Sequence, residues 1–289
     1  ANSCDVYFYK ITGGFDQDGE FIEGLGIDRL HEYADQFGFG RIQGIELPLE
    51  APGNNPSQAW KRQTQGEPWS TGDDYNAAIG QGYITATPMQ VAQMAAIIAN
   101  GGFLYRPTII HHITDGEGNV IVPFEPEVLN SVNVDRQWLD TVAQGMRLVN
   151  SEGGTGASYT TWLDDFGITS AGKTGTAEYC DNIAIERGWC REGEVLPTHS
   201  WYVGYAPYED PEIVVAFFMF NGDEGSQWSA PVARDIMAYY FHVDQYAPVE
   251  ESTDGTEQLP QEGVSPEESG TTEDNGTLLP TATPAAETP

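Results

Sequence analysis

Positive charge is what this chain has least of. Only 12 Lys and Arg stand against 44 Asp and Glu, for a formal net charge of −32 over 289 residues. That balance excludes a phosphate-backbone partner, because nucleic-acid binding draws its affinity from cationic side chains displacing condensed counterions. An anionic membrane surface is disfavoured for the same reason. Long apolar runs are missing too. The longest, Ile213–Phe220, is a strand's length and far short of a membrane span. Cysteine is limited to three residues, and no His or paired Cys lies at ligand spacing, so a metal site is not expected. No nucleotide or redox cofactor is called for either.

The acid is uneven. Residues 244–289 carry 11 carboxylates and no Lys or Arg, which leaves a net charge of −21 on residues 1–243. The last 46 residues are rich in Pro, Glu, Thr and Gly and poor in large apolar side chains, the composition of a disordered tail. The expected division is therefore a folded body over 1–243 and an acidic tail over 244–289. The chain opens on Ala1 without a signal-peptide pattern, so it is expected to begin within a longer sequence.

Along the body, helical and strand patterns come in blocks. Ser3 or Asp5 could cap a short helix over Val6–Ile11 that stops at Gly13-Gly14. Asp28 is the expected cap of a second, with Leu30, Tyr33, Ala34 and Phe37 on one face. The clearest start is Thr87-Pro88-Met89-Gln90, a capping box with Pro at the first helical position and Gly101 as the stop. A further helix from Asp135 carries Leu139, Val142, Ala143, Met146 and Val149 on its stripe. Three strand-like runs follow, Gly167–Tyr179, Ser200–Ala206 and Glu212–Phe220, and a last helix over 230–241 turns Val232, Ile236 and Tyr239 inward. Helices, then an antiparallel sheet, then a covering helix make an α/β protein of the layered α+β kind rather than a βαβ repeat.

The segment Gly167–Tyr179, GITSAGKTGTAEY, carries the chemistry and two false leads. It matches the phosphate-loop pattern G-x-x-x-x-G-K-[ST], but that loop must open a helix, and Gly175-Thr176-Ala177-Glu178-Tyr179 has no helical stripe. It also holds the chain's one S-x-x-K, Ser170 to Lys173. On a helix that spacing would pair a nucleophile with its base, whereas on a strand the two point to opposite faces about 10 Å apart. The nucleophilic Ser–Lys pair is thus expected to be absent.

Lys173-Thr174-Gly175-Thr176 suits an exposed strand that takes a carboxylate-ended peptide. Alternation puts the Thr174 and Thr176 hydroxyls on one face, Lys173 adds local positive potential, and Gly175 leaves room for close approach. An ordinary Gly-rich edge strand is the alternative that the motif alone leaves open. Cys180 and Cys190 bracket the next excursion and could be a disulfide or a free pair, while Cys4 reads as a packing residue. His199 is read as a structural histidine, His111-His112 as partly exposed strand, and Trp60, Trp69 and Tyr75 as residues of an irregular loop that could line a cleft.

Lys-Thr-Gly is one of the penicillin-recognising signatures, and the surrounding stretches resemble the transpeptidase domain of class B penicillin-binding proteins, most closely the elongation type known as penicillin-binding protein 2. The resemblance covers residues 1–243. It rests on GLGIDRLHEYADQFGFGRIQGIELPLE, WSTGDDYNAAIGQGYITATPMQVAQMAAIIANGG, AGKTGTAE, HSWYVGYAP and SAPVARDIMAYYF, in that order. It implies a penicillin-binding, β-lactamase-like transpeptidase fold, incomplete at its N-terminus. The implied activity is peptidoglycan D,D-transpeptidation, acyl transfer from stem peptides ending in D-Ala-D-Ala.

By the same resemblance, Ser3-Cys4-Asp5 occupies the family's S-x-N position, with a carboxylate at Asp5 where an amide is commoner. The strand from Lys173 to Thr176 supplies substrate contacts, and the Thr176 amide an oxyanion donor. Serine and its lysine are implied upstream of residue 1, so this chain alone is expected to be inactive. The implied partners are stem peptides, β-lactams and a membrane glycosyltransferase of the shape, elongation, division and sporulation family. The implied location is the extracytoplasmic face of the membrane, held by an N-terminal anchor. Two other readings stay open: a β-lactam-interactive hydrolase or sensor, and a non-catalytic scaffold for a cell-wall polymerase.

Overall fold

A computed structural model describes residues 1–191, 193 and 195–243. The tail expected over 244–289 lies outside the described residues. Among those described, no helix is long and apolar enough to cross a membrane.

The chain begins with α1 (Asp5–Gly13), a small hairpin of β1 (Phe15–Gln17) and β2 (Glu20–Ile22), and α2 (Gly26–Gln36). Then come α3 (Gln58–Thr64), α4 (Thr71–Ala78) and α5 (Pro88–Asn100). Short strands β3 (Phe103–Tyr105), β4 (Ile113–Thr114), β5 (Val120–Val122) and β6 (Val128–Ser131) form two two-stranded sheets, β3 with β6 and β4 with β5. After α6 (Arg136–Val149), α7 (Ala157–Thr160) and a 3-10 turn (Thr161–Phe166), the main sheet is built from β7 (Ala171–Glu178), β8 (Thr198–Ala206) and β9 (Ile213–Met219), with α8 (Asn182–Glu186) between β7 and β8. The last helix is α9 (Ser229–Tyr240).

The sheet is antiparallel throughout in the order β7-β8-β9, which leaves β7 at an edge. Helices cover both faces. On one side α9 sets Ala230, Ala233 and Met237 against Tyr202 and Val215; on the other, Ala95 and Ile98 of α5 and Met146 of α6 meet Ala171, Val203 and Tyr205. The expected α+β layering is what the structure shows.

Local expectations fare unevenly. The Thr87–Gln90 capping box is complete, with both side chains bonded to backbone amides, and Gly101 ends α5 in the left-handed conformation. Asp28 does not cap α2. The helix starts at Gly26 without a side-chain cap, and Asp28 instead accepts from the Gln58 amide, tying α2 to α3. Neither Ser3 nor Asp5 caps α1, whose N-cap is Cys4, an exposed free thiol rather than a packing residue.

The inward stripe of α9 is Ala230, Ala233, Met237 and Ala238, while Ile236 and Tyr239 are exposed. Small residues let the helix axis come close to the sheet, a packing reason that hydrophobicity alone does not rank. On α6, Leu139, Met146 and Val149 are buried but Val142 is exposed. The loop expected around Trp60 to Tyr75 contains α3 and α4, and the His111-His112 pair precedes β4 rather than lying in it. The two helices announce themselves at Ser57 and Ser70, each accepting a hydrogen bond from the amide three residues on.

Candidate active site

The open edge of β7 sets the geometry. Its register with β8 pairs Lys173 with Val203, Thr174 with Tyr202, Gly175 with Trp201 and Thr176 with Ser200. The Tyr179 amide donates to Pro197 O, so the odd residues of this strand bond inward to β8. In an antiparallel ladder the alternation then turns the backbone N–H and C=O of Thr174, Thr176 and Glu178 outward. Those outward groups are what an extended peptide would meet.

Lys173 reaches from β7 to the N-terminus of α1. Its Nζ donates to Ser3 Oγ at 2.7 Å and also to Thr174 O. Two motifs separated by 170 residues in sequence therefore meet at one hydrogen bond. Burial holds the lysine below the ordinary ammonium range, and the negative charge of Asp5 works in the opposite direction. Ser3 has φ 47°, in the left-handed region that residues with a Cβ seldom occupy, and this conformation presents its hydroxyl to the lysine.

The two threonines share a strand face but have different surroundings. Thr174 is buried, and its hydroxyl shares a 2.8 Å hydrogen bond with Thr155 in the loop after α6. Thr176 is exposed, and its hydroxyl donates to Glu224 Oε2 at 3.3 Å. Gly175 is crowded from within the sheet, since a Cβ there would stand 3.1 Å from Trp201 Cβ. The loop after β9 arrives close by: a Cβ on Gly225 would lie 2.2 Å from Gly175 O, so only glycine permits that approach. Thr155 and Glu224 were not foreseen. Both reach the strand from loops distant in sequence, and no local pattern marks them.

Ser170 has no part in this arrangement. It is fully buried at the start of β7, its Oγ accepts from Asn150 Nδ2 at 3.0 Å, and its carbonyl accepts from Arg147. Nor does Lys173-Thr174 open a helix, since the strand continues to Glu178. Both false leads in the motif are disposed of by the strand.

Around the site, Cys180 and Cys190 are bonded as a disulfide that encloses α8. His199 stacks on Tyr179 at a centroid distance of 3.8 Å, and its Nδ1 accepts from the Asn221 amide at 3.2 Å. Burial lowers its pKa, in keeping with a ring nitrogen that accepts a hydrogen bond. Trp69 and Tyr83 flank Lys61, whose ammonium is 5.8 and 5.3 Å from their ring centroids and donates to Asp73 at 2.6 Å. Among the described residues no group of three or more His, Cys, Asp or Glu could hold a metal ion.

An edge strand bearing Lys-Thr-Gly-Thr thus faces a Ser-x-Asp at a helix start, with helices packed on both faces of its sheet. The chain belongs to the penicillin binding protein transpeptidase domain family, which matches it over residues 1–238. Among named relatives, the peptidoglycan D,D-transpeptidase MrdA of Haemophilus influenzae is 34% identical over 275 residues, 90% of this chain and 39% of its own length. MrdA of Escherichia coli is 31% identical over 227 residues, 77% of this chain and 33% of that one. The crystal structure of Pseudomonas aeruginosa PBP2 in complex with WCK 5153 superposes with a TM-score of 0.64 at 31% identity, over 86% of this chain and 50% of that one. Helicobacter pylori PBP2, in its complex with MreC, gives 0.59 at 27%, over 82% and 38%. The chain thus spans about two fifths of the length of the first of these relatives.

Proposed function

We propose that these residues form the donor-recognition half of a peptidoglycan D,D-transpeptidase. The observation that carries this reading is the Lys173–Ser3 hydrogen bond, which joins the second and third motifs of the family in one site. The carboxylate of a D-Ala-D-Ala stem peptide is attracted to Lys173 and the threonine hydroxyls, and the peptide extends along the outward backbone of β7. The Thr176 N–H donates to the carbonyl oxygen as it becomes an oxyanion.

A serine hydroxyl attacks that carbonyl, the bond to the terminal D-Ala breaks, and its nitrogen takes a proton through Ser3 and Lys173. An amine from a neighbouring strand then attacks the resulting ester, forming the cross-link and returning the serine. The depressed pKa of Lys173 suits this relay, since a lysine nearer neutrality both gives and accepts a proton. Asp5, on this reading, tunes the charge of Lys173 rather than donating as an amide would. β-Lactams are taken as stand-ins for the same peptide. The nucleophile and its lysine are assigned to a helix-borne S-x-x-K outside the 289 residues, because the one S-x-x-K within them has its serine fully buried just before β7.

The remaining assignments rest on the relatives: an extracytoplasmic location with a membrane anchor, and a polymerase of the shape, elongation, division and sporulation family as partner. Labelled penicillin tests the central reading. The 289-residue chain alone should take no covalent label, whereas a polypeptide that also includes the upstream coding sequence should be acylated stoichiometrically. Labelling of the chain alone would sink the assignment and return attention to Ser170.

A further inference from the structure

The outward edge of β7 offers backbone groups at Thr174, Thr176 and Glu178; the Thr174 carbonyl accepts from Lys173 Nζ, and both groups of Glu178 are occupied from elsewhere in the chain. The side-chain amide of Gln81 faces Glu178. In the orientation that satisfies both amide groups, it donates to Glu178 O at 3.3 Å and accepts from Glu178 N at 3.0 Å. One primary amide thus makes the pair of bonds that a neighbouring strand's peptide group would make.

The approach is held from behind. Gln81 lies between Gly80 and Gly82, both in the left-handed conformation at φ 76° and 72°. Its own N–H is fixed to Asn76 O at 2.9 Å, at the end of α4. A Cβ on Gly82 would stand 3.1 Å from Asn76 Cβ, so the turn is tight as well as left-handed.

We infer that Gln81 is a positioning residue that acts as a one-residue strand, closing the β7 edge at Glu178 and confining substrate pairing to the backbone of Thr176. This deepens the proposed function and rests on it. Lys173 and Thr174 draw the carboxylate, which is the C-terminus of the donor, so the rest of the donor runs along β7 toward Glu178. Gln81 stands in that path. Only the residue next to the scissile bond finds free backbone partners, and residues further upstream in the stem peptide gain nothing from the strand. The enzyme then reads the D-Ala-D-Ala end and not the length of peptide before it. The same two bonds hold Glu178, and through the strand they fix the Thr176 N–H that the oxyanion needs.

The test compares the chain with its Gln81→Ala and Gln81→Glu variants by two measurements. The first is amide hydrogen exchange. Exchange at Glu178 should quicken about tenfold or more in Q81A, with Val203 and Tyr202 of β8 unchanged. Q81E, which keeps the acceptor and loses the donor, should retain part of that protection. The second is non-covalent binding of two acylated peptides ending in D-Ala-D-Ala, one of three residues and one of five. The wild-type chain should bind them within about threefold of each other, and Q81A should favour the longer by about tenfold.

Unchanged exchange at Glu178 overturns the inference, because the contact would then not exist. Faster exchange with an unmoved peptide ratio overturns it too, because Gln81 would then be structural only. A wild-type chain that binds neither peptide overturns the transpeptidase reading of this strand, and the inference with it. Should Q81A fail to fold, Q81E carries the same comparison, with a smaller shift expected in the same direction.

Discussion

Lys173 is the one residue at which charge, burial and motif coincide. Burial pulls its pKa down and Asp5 pushes it up. Asp5→Asn removes the opposing charge and leaves burial alone, so the lysine should titrate at lower pH than in the parent chain. Following the Lys173 side-chain carbon and nitrogen shifts by NMR across the alkaline range decides this, and an upward movement would count against it. The linkage has a definite sign. The unfolded chain holds the Lys173 proton to higher pH than the folded one does, so its contribution to stability rises as pH climbs through the interval between the two values. Gly172 makes a second case. A Cβ there would stand 2.2 Å from the Tyr202 hydroxyl, itself bonded to Asn150 at 2.7 Å. Gly172→Ala should cost about 1–3 kcal/mol or more in urea unfolding. Adding Tyr202→Phe should return part of that loss, and a strictly additive double variant would argue against the clash.

Elements differ in how openly the sequence declares them. For α5 the capping box, the proline and the final glycine all point one way, and the helix is where they say. Thr87→Ala should cost about 1 kcal/mol, read from a denaturant midpoint. In α9 hydrophobicity misleads, because Ile236 and Tyr239 outweigh the alanines on any scale while the sheet selects Ala230, Ala233 and Met237 for their fit. Met237→Ala should therefore cost about 2–5 kcal/mol, whereas Ile236→Ala should stay within about 0.5 kcal/mol. The same contrast runs through the site. Lys173, Thr174, Gly175 and Thr176 are legible because one strand carries them in sequence. Thr155, Glu224 and Gln81 are not, because each meets that strand only after chain reversals that local pattern does not encode. The register of β7 on β8 turns those separate residues into one surface, and register is a property of pairing rather than of any single segment.

At the scale of the molecule, the disulfide and the scarce cations matter most. The Cys180–Cys190 bond closes a short loop directly beyond the motif strand, and reducing it should lower stability by about 2–3 kcal/mol. Comparing thermal midpoints of the parent chain with and without a reductant, beside a Cys180→Ser, Cys190→Ser variant insensitive to it, checks this. The Lys61 cluster carries a further consequence. Lys61 is 5% exposed, its ammonium is bonded to Asp73 and set between two aromatic rings, and that hydrogen bond keeps its pKa above the ordinary value. The chain has only two other lysines, exposed Lys10 and the bonded Lys173. An amine-directed acylating reagent therefore finds Lys10 open and Lys61 shielded. Acylation at Lys61, located by peptide mass, would register the parting of α3 from α4, so a single buried ammonium makes this half of the molecule report its own opening.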